Sequence, residues 1–145
     1  MTLNRMAGAA VACLCCTTIA FALRPAAADK SAQTTHRYFE MRTYHAPEGK
    51  LDALHARFRD HTTKLFEKHG MVNIGYWTPA ESPLSKNTLI YIVAHKSRDA
   101  AKKSWDAFRA DPEWIKARDA SEVGGKIVAK VESVFLDPTD YSPVK

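Results

Sequence analysis

The chain has 145 residues, with 21 Lys and Arg against 16 Asp and Glu, a formal net charge of +5, and three cysteines. That length builds one hydrophobic core and not comfortably two, and its basic residues are too evenly interleaved with acidic ones to mark a nucleic-acid surface. All three cysteines, Cys13, Cys15 and Cys16, lie in the first 28 residues, so the remainder uses neither disulfides nor thiol chemistry.

Met1 to Ala28 carries one early charge (Arg5), then an uncharged run from Met6 to Leu23, then Arg24-Pro25 and Ala26-Ala27-Ala28. This order of charged, apolar and small-residue segments is that of a secretory signal peptide cleaved after an A-x-A site. The domains expected are therefore a signal peptide over 1–28, a linker over 29–37 and one folded domain over 38–145. Removing Arg5 and Arg24 leaves 19 basic and 16 acidic residues, a net of +3. The expected location is periplasmic or secreted, with no membrane attachment after cleavage; the alternative is a retained anchor, because a run of about 18 residues is close to the lower limit for crossing a bilayer.

From Tyr38 the segment YFEMRTY alternates Phe39, Met41 and Thr43 with Glu40, Arg42 and Tyr44, a strand pattern. Pro47-Glu48-Gly49 opens a helix in which Leu51, Leu54, Phe58, His61 and Leu65 share one face, and Gly70 ends it. MVNIGYWT then reads as a strand with Val72, Ile74 and Tyr76 opposite Asn73, Gly75 and Trp77. Pro79 to Asn87 is a loop, and TLIYIVAH is a central strand, apolar on both faces. Ser97 caps a helix with Ala101, Trp105 and Phe108 on one face. Asp111-Pro112 ends that helix and starts another, since Asp is a good N-cap and Pro suits the first helical position. Gly124-Gly125 stops the second helix, and Lys126 to Leu136 forms the last strand, with Ile127, Ala129, Val131 and Phe135 on one side. The tail DPTDYSPVK is too proline-rich to continue it.

Strand, helix, strand, strand, helix pair, strand is the order of an α+β, ferredoxin-like fold: a four-stranded antiparallel sheet with helices on one face. The other face then needs cover, and a second copy of the chain is the expected partner.

YFEMRTYHAPEGKLDALHARFRDH, EKHGMVNIGYWTP, ADPEW and PTDYSP, in this order, resemble the NIPSNAP family over nearly all of residues 38–143. The third strand departs from the family's aromatic-rich run, reading Tyr91-Ile92-Val93-Ala94-His95. The resemblance implies a dimeric α+β barrel, hence a homodimer. It also points toward a superfamily that includes cofactor-independent monooxygenases and haem-degrading enzymes, while the family itself has no settled activity.

No H-E-x-x-H or other metal spacing, nucleophile elbow, Walker loop or dinucleotide turn occurs, so neither metal nor cofactor is expected. His61, in phase with the apolar face of its helix, is the candidate catalytic residue. Arg42, His61, Trp77, His95, Trp105 and Trp114 are candidates to line a cavity between sheet and helices. For each the alternative is a packing or hydrogen-bonding role. Whether such a cavity only binds a small apolar molecule or also acts on it is open at this point, as is an assembly module without a ligand.

Overall fold

The computed structural model describes residues 37–145, so the expected signal peptide and nearly all of the linker lie outside the described residues. Four strands, β1 (Tyr38–His45), β2 (Val72–Trp77), β3 (Thr88–His95) and β4 (Lys130–Leu136), pair in the order β2-β3-β1-β4, every pair antiparallel. This is the ferredoxin-like order that the sequence implied. The closed α+β barrel is not what forms: β2 and β4 end the ladder as edge strands, and the sheet stays open.

One face of the sheet carries Glu40, Arg42 and Tyr44 of β1 beside Leu89, Tyr91, Val93 and His95 of β3. Against it pack α1 (Leu51–Arg57), α2 (Thr63–Lys68) and α3 (Arg98–Ala110). Phe58, Phe66, Tyr91, Trp105 and Phe108 meet there with ring centroids 5.0–6.1 Å apart, mostly edge to face, which suits the quadrupoles of the rings. The expected sheet–helix cavity is thus filled by aromatic core. Lys130 to Val134 of β4 are exposed, and Arg98 of α3 reaches the strand only at Phe135, its guanidinium 5.1 Å from that ring.

Three local irregularities move side chains from their expected faces. Between α1 and α2 the helix passes through a π turn, Phe58–Thr62, whose extra residue per turn shifts the phase. Thr62, Leu65 and Phe66 are buried in consequence, and His61 turns outward to solvent. In β2 a bulge between Asn73 and Gly75 sets two residues against one of β3. Tyr76 therefore joins the core, while Val72, Ile74, Gly75 and Trp77 face away from the helices. The last strand starts at Lys130, later than expected; Ile127 is buried ahead of it, and Val131 pairs with Tyr44 on the helix side.

Asp111 and Pro112 do separate two helices, and α4 (Pro112–Ser121) packs chiefly on α1 and α3. Asp111 Oδ1 accepts the Glu113 amide at 2.8 Å, while Oδ2 accepts from Lys68 Nζ at 2.9 Å and His69 Nε2 at 2.6 Å. The bonds from Lys68 and His69 hold this carboxyl below the usual carboxylate range. One side chain thus caps α4 and ties the end of α2 to it. Trp114 lies over Phe108 at 4.5 Å, with the Arg57 guanidinium 5.1 Å from its ring, so it joins helix to helix and not helix to sheet.

Truncating Phe66, whose ring touches four others, should cost about 3–5 kcal/mol in Phe66→Ala. Trp114→Ala, at a half-buried site, should cost about 2 kcal/mol. Urea denaturation of both variants checks the order; a larger loss at Trp114 would mean that helix-to-helix packing, not the sheet–helix core, dominates.

Candidate functional site

Three of the residues singled out in the sequence, Arg42, His95 and Trp105, converge on a fourth, Glu40, which is only 2% exposed. The alternation of β1 turns Glu40 toward the helices, where its carboxylate meets donors from four elements. Trp105 Nε1 of α3 donates to Oε2 at 2.6 Å, and His95 Nε2 of β3 lies 3.2 Å from the same oxygen. Ser133 Oγ of β4 and Arg42 NH1 of β1 donate to Oε1 at 2.6 and 2.9 Å. Burial alone would raise the Glu40 carboxyl. The bonds from His95, Ser133 and Trp105 and the charge of Arg42 outweigh it and lower the group from 4.5 to about 2.

A carboxylate so saturated is ionised at neutral pH and has little remaining capacity to take a proton. His95 must present a protonated Nε2 to it, which leaves Nδ1 buried without a partner among the described residues. That nitrogen is sealed from any substrate. Arg42 is held in turn, its guanidinium 4.3 Å over the Trp105 ring. The cluster is therefore suited to fixing β1, β3, β4 and α3 in register and is poorly placed for proton transfer.

The outer face of the sheet is different in kind. Phe39, Ile92, Ile74, Trp77 and Leu136 form an apolar surface there, and the tail after β4 crosses it through Pro138, Thr139, Ser142 and Val144. Between tail and sheet lies a cleft of about 590 Å³, within the range of about 300–1,000 Å³ usual for small-molecule sites. The tail is shaped by its own bonds: the Ser142 amide donates to Thr139 O at 3.1 Å and Ser142 Oγ to Val144 O at 2.7 Å. Of the cavity candidates, Trp77 lies here, and its indole is 51% exposed. His61 lines a separate charged groove with Lys64, Glu113 and Lys116, and Trp114 sits in the helix layer. The six candidates thus fall into four places. Phe39, Ile92, Leu136 and the tail were not among the cavity candidates of the sequence, because only the sheet topology brings them together.

Among the described residues no group of three His, Cys, Asp or Glu side chains is placed to hold a metal ion, and no helix is long and apolar enough to cross a membrane.

Residues 39–143 match the NIPSNAP family model. Solved structures with this fold include a NIPSNAP family protein of unknown function from Agrobacterium tumefaciens, at 22% identity and a TM-score of 0.67, covering 77% of this chain and 96% of that one. An uncharacterized NIPSNAP-like domain protein from Burkholderia xenovorans has 17% identity and a TM-score of 0.65, with 75% and 90% covered. SnoaB, a cofactor-independent oxygenase from Streptomyces nogalater, is more distant, at 12% identity and a TM-score of 0.51, with 74% and 98% covered. No curated protein matches.

Because the Glu40 carboxyl is lowered on folding, its stabilising contribution is complete above pH 4.5 and is lost as pH falls toward about 2. Glu40→Gln should cost about 3 kcal/mol at neutral pH, as expected for breaking a buried ion pair, and should flatten the acid limb of the stability profile. Chemical denaturation across that pH range measures both; an unchanged acid limb would mean that other carboxylates carry the acid sensitivity.

Proposed function

Given that this chain belongs to the NIPSNAP family, we propose that it is an exported binding protein that holds a small, largely apolar molecule between the outer face of its sheet and its C-terminal tail. The observation that carries this reading is the open cleft of about 590 Å³, lined by Phe39, Ile74, Trp77, Ile92 and Leu136 and by residues of the tail. An apolar cleft of that size gains free energy by shedding water onto an apolar guest, at roughly 25 cal/mol per Å² buried. Binding is favoured over turnover because both strongly lowered carboxyls are committed to structural partners: Glu40 is saturated with donors and sealed from solvent, and Asp111 caps α4 and takes the bonds of Lys68 and His69. The likeness to an oxygenase is one of fold, and it supplies no reacting residue here. Export rests on the leader sequence alone.

A second copy of the chain is the other occupant that this face supports. Val72 and Val134, 45% and 49% exposed, extend the apolar surface beyond the tail, and pairing two copies through it would give a homodimer with an apolar interface.

The neutral fluorophore phenylnaphthylamine should bind the purified protein, and Ile92→Glu should weaken it at least about tenfold by placing a charge in the apolar wall. Deleting residues 139–145 should also weaken it while the fold survives. Undiminished binding in both variants would place the ligand elsewhere. For protein recovered outside the cytoplasm, intact mass should lack residues 1–28, and light scattering should report a dimer that Val134→Lys converts to monomer. Full-length protein in the soluble cytoplasm would contradict export, and a monodisperse wild-type monomer at micromolar concentration would contradict pairing.

A further inference from the structure

The helix layer holds a second concavity, an open groove of about 440 Å³ with the π turn and α2 on one side and α4 on the other. Its size falls within the range of about 300–1,000 Å³ usual for small-molecule sites. Leu65 and Ala117, both buried, contribute apolar surface to it, and Ala120, one turn along α4 from Ala117, adds only a methyl group. A longer side chain at 120 would fill the space.

The π turn brings His61 to this groove; without its extra residue the ring would lie in phase with Leu54, Phe58 and Leu65. The same turn packs Thr62 and Phe66 inward, so core packing alone accounts for it. The charges around the groove are not accounted for in that way. Lys64, Lys68 and Lys116 line it against two carboxylates, Asp60 and Glu113. Lys68 crosses to the start of α4, 2.9 Å from Asp111 Oδ2 and 3.3 Å from Glu113 Oε1, and closes one end. Lys64 and Lys116 have no ion-pair partner among the described residues, although Asp60 and Glu113 stand at the i−4 and i−3 positions that pair on a helix surface. Two free ammonium groups from different helices thus share one groove with an imidazole and an apolar lining. Three lysines against two carboxylates leave the lining with a formal charge of +1, which a single negative charge neutralises.

We propose that this groove is a second ligand site, which takes a small organic monoanion: a carboxylate held between Lys64 and Lys116 with His61 hydrogen-bonded to it, and a compact apolar body set against Leu65, Ala117 and Ala120. It stands apart from the cleft on the outer face of the sheet and does not depend on that reading.

NMR titration of the purified protein, labelled at backbone amides and at alanine and isoleucine methyls, tests the site with three probes: benzoate, its uncharged analogue benzyl alcohol, and acetate, which has the charge without the ring. Benzoate should give saturable shifts at His61, Ala117 and Ala120, with the other two binding at least about tenfold more weakly. Lys64→Gln and Lys116→Gln should each weaken benzoate about fivefold, the upper range for an exposed ion pair. Ala120→Leu, at an exposed position where leucine is a good helix former, should abolish the shifts with melting unchanged. Equal, unsaturable shifts with benzoate and acetate would mean that the lysines attract any anion, and would overturn the site. Undiminished benzoate binding in Ala120→Leu or in both lysine variants, or no shift at all, would overturn it as well. Shifts confined to Ile74 and Ile92 would place benzoate in the outer cleft, overturning this site and leaving the proposed function standing.

Discussion

A carboxylate enclosed in a protein must gather donors from whatever surrounds it, and Glu40 gathers them from β1, β3, β4 and α3 at once. Its position constrains the rest of the domain. Ser133 holds the edge strand β4, most of which is exposed, and Trp105 fixes α3 over the sheet so that Phe66 and Phe108 can close the aromatic layer beside it. Replacing the four donors with water would require opening that layer. The network is accordingly better understood as a fastening across elements than as latent acid–base chemistry.

With the inner face closed by rings and a saturated ion pair, the outer face is where the sheet can accept something. An open sheet with helices on one side leaves an apolar surface, and this chain covers part of it with nine residues after β4, Asp137 to Lys145. Tyr141 of that cover is largely exposed. The exposed Val72 and Val134 lie on the same face as the cleft, so both proposed occupants, a second copy and a ligand, trace to one asymmetry in the helix layer.

Much of this was legible in the residues. The alternation in YFEMRTY, the Ser97 cap and the Asp111-Pro112 restart gave strand, helix and break where they occur, because each depends on local geometry alone. The family motifs pointed to the right family, but the barrel that they implied does not form in a sheet whose edge strands stay unpaired. Face assignments failed wherever one residue was inserted: the π turn rotated His61 outward, and the bulge exchanged Tyr76 for Gly75. Neither insertion leaves a signature in periodicity, since a shift of phase by one residue looks like noise in a short apolar pattern. The cleft was illegible for a different reason: it joins residues 39 and 144, far apart in sequence, through the sheet and the tail.

The central claim is that the inner face is closed and that the outer face receives the ligand. Methyl-resolved NMR during titration with phenylnaphthylamine tests it most directly, because methyl groups report from both faces in one experiment. The account predicts shifts at Ile74, Ile92, Leu136 and Val144, with Leu54, Leu89 and Val93 unmoved. Shifts centred on Leu54, Leu89 and Val93, with the outer methyls silent, would contradict it and would place the ligand within the aromatic layer.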